Sequence, residues 1–286
     1  MTLRIYLFAS LVIAAHLRSS GAGSLRHEVG TMQPNYIEGR HVTQYDTIAL
    51  DYQRISAVVP LRDAEWYSLR VRLGDLAGLS VLDLACGDGM GTRLIKAWGA
   101  DRVVGVDISA QMIALAQQRE DAEPMGIEYR LADAATLGGI GPFDRVAAAY
   151  LLHYAESREQ LLRMARTVHD NLQPGQHFVA SIANPLQPPQ PIVDHRKYGW
   201  SYRLLDETLH EGARLRGTLY LGQNIVEFDF HWWPWEVYEE AFRTAGFRSC
   251  GIEPFLVPPD AENKRGEGFW DEYLAAPSAM HIICQK

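Results

Sequence analysis

Val81-Leu-Asp-Leu-Ala-Cys-Gly-Asp-Gly-Met-Gly91, with Asp107 standing twenty residues beyond Gly87, carries most of what can be read from this chain. Residues 81–84 form a short apolar run, residues 86–91 a glycine-rich turn, and residues 92–98 show the apolar spacing of a helix. A strand ending in such a loop is the first strand of an open α/β sheet. Glycines let the backbone pass close to a ligand, and an acid closing the next strand can accept hydrogen bonds from a ribose diol. The pattern predicts a cradle for a nucleoside cofactor.

Two cofactor classes use this geometry. A dinucleotide site requires G-x-G-x-x-G, with a helix N-terminus facing a pyrophosphate. Here the glycines are Gly87, Gly89 and Gly91, and Thr92 stands where the third glycine should fall. Asp83 and Asp88 place two carboxylates around the loop, where they would repel a pyrophosphate and welcome a cation. S-adenosylmethionine (SAM) carries a sulfonium, an ammonium and no phosphate, so it matches these charges better than a nicotinamide cofactor does.

Residues 81–91 resemble motif I of the class I SAM-dependent methyltransferases, and Val103-Val-Gly-Val-Asp-Ile-Ser109 resembles their second motif. Tyr129-Arg-Leu-Ala-Asp-Ala134 is similar to the third strand and its acidic turn, and Phe143-Asp-Arg-Val-Ala-Ala-Ala-Tyr-Leu-Leu-His-Tyr154 to the fourth. Leu172-Gln-Pro-Gly-Gln-His-Phe-Val-Ala180 resembles the turn into the fifth strand, with Gln176 replacing a glycine. The likeness runs over residues 43–286. Within the superfamily the chain resembles toxoflavin-type azapteridine N-methyltransferases and related small natural-product methyltransferases, through Tyr45-Asp46, Phe230-His-Trp-Trp-Pro-Trp-Glu-Val-Tyr238, Ala245-Gly-Phe247 and Gly268-Phe-Trp-Asp271.

The resemblance implies a Rossmann-like α/β fold, with a mostly parallel seven-stranded sheet, helices on both faces and a substrate-covering insertion. The cofactor would be SAM, released as S-adenosylhomocysteine, with no metal. Asp107 is expected on the ribose, Asp133 and Ala134 on the adenine edge, Ile108 and Met112 flanking the ring, and Asp83 on the methionine end. Ala85, Gly87, Gly89, Ala149 and Tyr150 complete the expected cofactor set, with Tyr45 on a leading helix that closes over it.

Methyl transfer from a sulfonium needs chiefly alignment and desolvation of the acceptor, and a base only where the acceptor must lose a proton. His153 follows the fourth strand, at the carboxyl edge where open α/β sheets bind ligands, and is the first candidate for a base or orienting group. His231 is the second, beside Trp232, Trp233 and Trp235, an aromatic group able to stack a flat substrate. Tyr52, seven residues after Tyr45 on the same helix face, and Trp200 join the expected substrate contacts. His195 and Tyr198 are weaker candidates of the same kind.

A net charge of -8 and a pI of about 5.7 argue against nucleic acid or an anionic membrane as partner. The expected partner is a small molecule, and the expected state a monomer or homodimer. Strand ends lack the clustered acids of a metal-assisted methyltransferase. The three cysteines, Cys86, Cys250 and Cys284, show neither a disulfide framework nor a zinc pattern, and Cys86 reads as packing.

The N-terminus combines Arg4, the apolar residues 5–17 and Gly21-Ala-Gly23 in a signal-like pattern. SAM is an intracellular metabolite, so a true start at Met32 and a cytoplasmic protein are expected, with secretion as the alternative. The predicted organisation is an extension (1–30), leading helices forming a lid (31–78), the SAM-binding core (79–184), a substrate-covering insertion (185–234) and the end of the core sheet (235–286). The expected activity is methylation of N or O on a small aromatic or heterocyclic metabolite. A SAM-binding protein without catalysis is the rival, and a nicotinamide-dependent reductase ranks third.

Overall fold

Strands apolar on both faces need cover on both sides, and this requirement organises the chain. The computed structural model describes residues 35–37, 40–187 and 192–286. The signal-like residues, Met32 and three of the prolines opening the insertion lie outside the described residues.

Two short strands, β1 (Asn35–Ile37) and β2 (Arg40–Val42), precede helices α1 (Gln44–Ser56) and α2 (Leu61–Leu73). The core then alternates β3 (Ser80–Leu84), α3 (Met90–Ala97), β4 (Arg102–Asp107), α4 (Ala110–Ala122), β5 (Glu128–Leu131), β6 (Phe143–Ala149), α5 (Arg158–Asn171) and β7 (Leu172–Ala183). Next come β8 (Ile192–His195), β9 (Trp200–Leu204), β10 (Ala213–Leu221) and β11 (Asn224–Trp232). The chain closes with α6 (Trp235–Ala245), β12 (Ser249–Pro254), two five-residue helices, α7 (Ala261–Arg265) and α8 (Asp271–Ala275), and β13 (Ala279–Gln285).

The main sheet has seven strands in the order β12-β13-β7-β6-β3-β4-β5. From β7 to β5 neighbours run parallel, while β13 is antiparallel to both β7 and β12. Side chains alternate across it. Leu82, Leu84, Val104, Val106 and Val146 join the core under α5 and α6, while Val81, Val103, Ala147 and Val179 pack with Leu69, Leu73 and Ile95 of α2 and α3. This is the Rossmann-like class I methyltransferase architecture expected from the sequence.

The second sheet, β11-β10-β9-β8, is wholly antiparallel. Its aromatic face packs with residues from α1, the 183 strand end and the segment around Trp270. Gly217 of β10 stands opposite Phe228 and Tyr202, and a Cβ there would lie 2.8 Å from the Phe228 ring. Its missing side chain is the space into which Phe228 and Phe230 fold.

The cysteines require a correction. Cys250 and Cys284 face each other across β12 and β13, with Cα atoms 4.1 Å apart, and are joined by a disulfide. A sequence separation of 34 residues conceals this direct cross-strand register. Among the described residues, no helix is long and apolar enough to cross a membrane.

Candidate active site

The carboxyl ends of β3, β4 and β6 meet at the glycine loop. Asp107, closing β4, accepts hydrogen bonds from Gly87 N and Ser109 N, both at 2.8 Å. It therefore fixes the loop to the neighbouring strand and retains lone pairs for a diol. Burial pushes its carboxyl up to about 6, against the pull of those two backbone donors. Asp83 on β3 is also buried, accepts from Thr92 Oγ1 at 2.6 Å, and is pushed up to about 7 by burial. A cation beside it would restore its charge.

Glycine is required at position 89 for a separate reason. Its φ is +80°, and a Cβ would lie 2.4 Å from the Tyr129 hydroxyl oxygen. Gly89 thus faces Tyr129 under the loop, whereas a Cβ on Gly87 would meet nothing within 4 Å. Cys86 fits the packing role: it is buried, its thiol is pushed up by burial and then by Asp107, and its sulfur lies 3.0 Å from a Cβ built at Gly105. Ala85 and Tyr150, the residues after β3 and β6, have φ of +57° and +67°. Backbone strain of this kind concentrates at ligand sites.

Two adjoining cavities open here. One is bounded by Asp83, Ala85, Gly87, Gly91, Ala149 and Trp66, among others. The other is an aromatic chamber under the second sheet, bounded by His153, Tyr154, Trp200, Phe228 and Phe230 with Glu65 and aliphatic side chains. Tyr52, Arg62 and Tyr150 line both. These three side chains form the wall between a polar cleft and an apolar chamber.

That wall is braced by ionic and hydrogen bonds. Arg62 Nη1 donates to Glu65 Oε1 and Oε2 at 2.5 and 2.6 Å, and Nη2 to the Tyr52 hydroxyl at 3.1 Å. The Tyr150 hydroxyl donates to Glu65 Oε2 at 3.3 Å. Burial works against the Arg62 charge, but Glu65 holds it, while burial raises Glu65 despite Arg62.

Helix α1 bridges the two regions. Asp46 caps its own helix through Thr43 N and accepts from Ser109 Oγ at 2.7 Å and Gln111 N at 3.2 Å. Gln53 donates to Asp88 at 2.9 Å, and Gln44 exchanges two hydrogen bonds with the Asp229 backbone of β11. Asp88 also pairs with Arg119 at 3.2 Å. This corrects the charge argument made from sequence: Arg119 offsets Asp88, and Asp83 with Asp107 supplies the anionic character.

A family profile described as "Methyltransferase domain" matches residues 81–175. The chain is 32% identical over 142 residues to a demethylmenaquinone methyltransferase of Lactococcus lactis, a match covering 47% of this chain and 55% of that protein. It is 32% identical over 117 residues to a ribosomal protein L11 methyltransferase of Burkholderia vietnamiensis, covering 41% of this chain and 35% of that one. The chain thus spans between a third and about half the length of these relatives. The crystal structure of an S-adenosylmethionine dependent methyltransferase from Mesorhizobium loti is similar at a TM-score of 0.57 and 29% identity, over 78% of this chain and 98% of that one.

The chain has the class I SAM-dependent methyltransferase fold. Its residues fit SAM on their own chemistry: buried carboxylates at Asp83 and Asp107, an open Gly87, and a cleft at the strand ends. Among the described residues, no group of three or more His, Cys, Asp or Glu could hold a metal.

Of the cofactor residues named from the sequence of this methyltransferase fold, Asp83, Ala85, Gly87, Ala149 and Tyr150 line the cleft. The turn after β5 is tied to Asp107 by a bond from Ala132 N to Asp107 O at 2.9 Å. Asp133 accepts from Ala135 N, Ala134 and Met112 are buried, and Ile108 is 39% exposed. Tyr45 stands apart from both cavities and packs edge-on against Tyr52 and Tyr154, with a hydroxyl contact to Tyr154.

The substrate candidates divide. Tyr52, Trp200 and His153 line the chamber. His153 is buried with its Nδ1 unpartnered among the described residues, and burial, then the nearby His231, pulls its pKa down to about 3. His231 does not line the chamber, because the period of two in β11 turns Phe228 and Phe230 inward and leaves Asp229 and His231 on the opposite face. Trp233 lies in the main core, its indole donating to Ala155 O at 3.0 Å, and Trp232 is partly buried at the edge of the aromatic cluster. Tyr198 stacks against Trp270, with His195 beside it, and neither lines the chamber. Sequence reasoning missed Arg62, Glu65 and Trp66, which belong to no motif, and Tyr154, which closes the fourth motif but was given no role. The available signal was the row of charged and aromatic residues on α2 directly before the glycine motif.

Proposed function

We propose that this chain is a SAM-dependent methyltransferase acting at nitrogen or oxygen of a small, flat aromatic or heterocyclic acceptor. The observation that carries the reading is the pair of adjoining cavities, polar and apolar, sharing Tyr52, Arg62 and Tyr150 as their common wall. When bound, SAM supplies an electrophilic methyl group on a cationic sulfur. In this reading Asp107 holds the ribose hydroxyls, Asp83 meets the methionine end, and Asp133 with Ala134, Ile108 and Met112 receives the adenine. The buried Asp83 carboxylate disfavours a pyrophosphate, and with it a nicotinamide cofactor.

On the acceptor side, Trp200, Phe228 and Phe230 stack a flat ring and exclude water. His153 stays a neutral imidazole, able to orient an acceptor by hydrogen bonding. Residues 31–78 act as a lid, 79–184 and 235–286 as the cofactor core, and 185–234 as the substrate cover. A cytoplasmic setting and a monomer or homodimer accord with this use. The likeness to azapteridine N-methyltransferases in residues 230–238 favours a heteroaromatic acceptor.

The test incubates the protein with SAM and a panel of hydroxy- and nitrogen-heteroaromatic compounds, following S-adenosylhomocysteine and product mass. A product heavier by one methyl supports the reading. SAM binding without turnover across the panel favours the non-catalytic rival, and absence of SAM binding removes both.

A further inference from the structure

The wall between the cavities holds a carboxylate that no methyl donor requires. Glu65 is 1% exposed and lines the acceptor chamber, but not the cofactor cleft. Among the described residues that line the chamber it is the one carboxylate. Arg62 holds both its oxygens at 2.5 and 2.6 Å, and Tyr150 fixes Oε2 at 3.3 Å, so the group is rigid and its orientation set. Oε1 has no second hydrogen bond among the described residues other than to Arg62, so a lone pair is open to a ligand.

The remaining chamber groups cannot serve as well. His153 has its pKa pulled down to about 3 by burial, which leaves it a weak base. Tyr52, Tyr150 and Tyr154 are phenols pushed up by burial, hence protonated and not proton acceptors. Burial raises the Glu65 carboxyl above its ordinary value, towards the basicity a general base needs.

Resting on the methyltransferase reading above, we propose that Glu65 is the general base of the acceptor chamber, and that the acceptor is a flat hydroxyaromatic or ring N–H compound bearing its proton on the reacting atom. The acceptor's O–H or N–H bond breaks, the proton goes to Glu65, and the freed electron pair forms the new bond to the methyl carbon as the carbon–sulfur pair stays on sulfur. The sulfonium charge and the carboxylate charge disappear together. Arg62 keeps its charge throughout, so the net charge of the site is unchanged. Tyr150 and Arg62 are positioning residues in this step.

The test needs no turnover. 2-Naphthol and 2-methoxynaphthalene, equally flat but differing in the O–H, are titrated by calorimetry into the full chain saturated with S-adenosylhomocysteine. Wild type is expected to prefer 2-naphthol at least tenfold, and Glu65→Gln to lose that preference while binding S-adenosylhomocysteine as before. Should Glu65→Gln fail to fold because Arg62 is left unpaired, Arg62→Met with Glu65→Gln removes both charges and is expected to lose the same preference. An acceptor turned over by wild type gives a second readout: Glu65→Gln lowers kcat about 100-fold or more and abolishes its low-pH limb, and Glu65→Asp restores part of both. Neither naphthalene binding, equal binding of the two by wild type, or a preference surviving in Glu65→Gln would overturn the proposal. Failure of wild type to bind S-adenosylhomocysteine would instead remove the methyltransferase reading itself.

Discussion

The cofactor end of the main sheet and the chamber beneath the second sheet are built on different principles. The first is local in sequence: the glycine loop, Asp83 and Asp107 come from one βαβ unit, and backbone groups do much of the work, as in the bonds from Gly87 N and Ser109 N to Asp107. The second is assembled from side chains far apart in the chain, from Tyr52 and Glu65 through His153 to Trp200 and Phe230. A backbone cradle suits an invariant cofactor, and a side-chain chamber suits an acceptor that differs from one protein to the next. The two regions should therefore break separately.

The largest effect is expected from Asp107→Ala. Hydrogen bonds to a charged group contribute about 1.5–3 kcal/mol each, so losing two to the ribose should weaken S-adenosylhomocysteine binding about 100-fold or more. Calorimetry checks this, with near-ultraviolet circular dichroism expected to report an intact aromatic chamber. Next comes Gly89→Ala. A methyl at φ +80° and 2.4 Å from the Tyr129 hydroxyl should destabilise the fold by about 2–4 kcal/mol in urea denaturation. Gly87→Ala, at φ +55° in open space, should cost about 1–2 kcal/mol and act chiefly on cofactor affinity. Equal stabilities for the two variants would contradict this division.

A smaller effect, confined to the chamber, is expected from Gly217→Ala. Its Cβ pushes on the Phe228 and Phe230 rings, so 2-naphthol affinity should fall about tenfold with S-adenosylhomocysteine affinity unchanged. If both affinities fall together, the regions are not separable.

The smallest effect is the pH dependence of Asp83 and Asp107, raised to about 7 and about 6. Both lie above the ordinary carboxylate value, so the protonated forms favour folding: that stabilisation is full below about pH 4 and lost as pH rises through 6 and 7. The cationic cofactor favours the ionised forms. The rise in Tm produced by SAM should therefore grow by a few degrees between about pH 5.5 and about pH 8, and a flat increment would rule out these two carboxylates as its partners.

The fold was legible because strand, loop and helix follow one another within residues 81–98, and because apolar runs mark the central strands of the main sheet. The position of Asp107 at the end of β4, against the glycine loop, was legible for the same reason. The second sheet was read only at β11, although β10 alternates just as cleanly, because a strand's own pattern does not name the neighbours it pairs with. His231 is a single residue of register away from the chamber wall, since neighbours on a strand face opposite ways and Phe230 takes the inward position. Glu65 and Arg62 sit on a helix surface in sequence terms, and only tertiary packing turns that surface into a wall between cavities. The Cys250–Cys284 bond depends likewise on the register of β12 against β13.

The most direct test of the central claim is a calorimetric titration of SAM, and in parallel of NADPH, into wild type and Asp107→Ala. One SAM per chain bound by wild type, weakened strongly by Asp107→Ala, with no NADPH binding, is the predicted result. NADPH binding in place of SAM, or SAM binding indifferent to Asp107, would contradict the account.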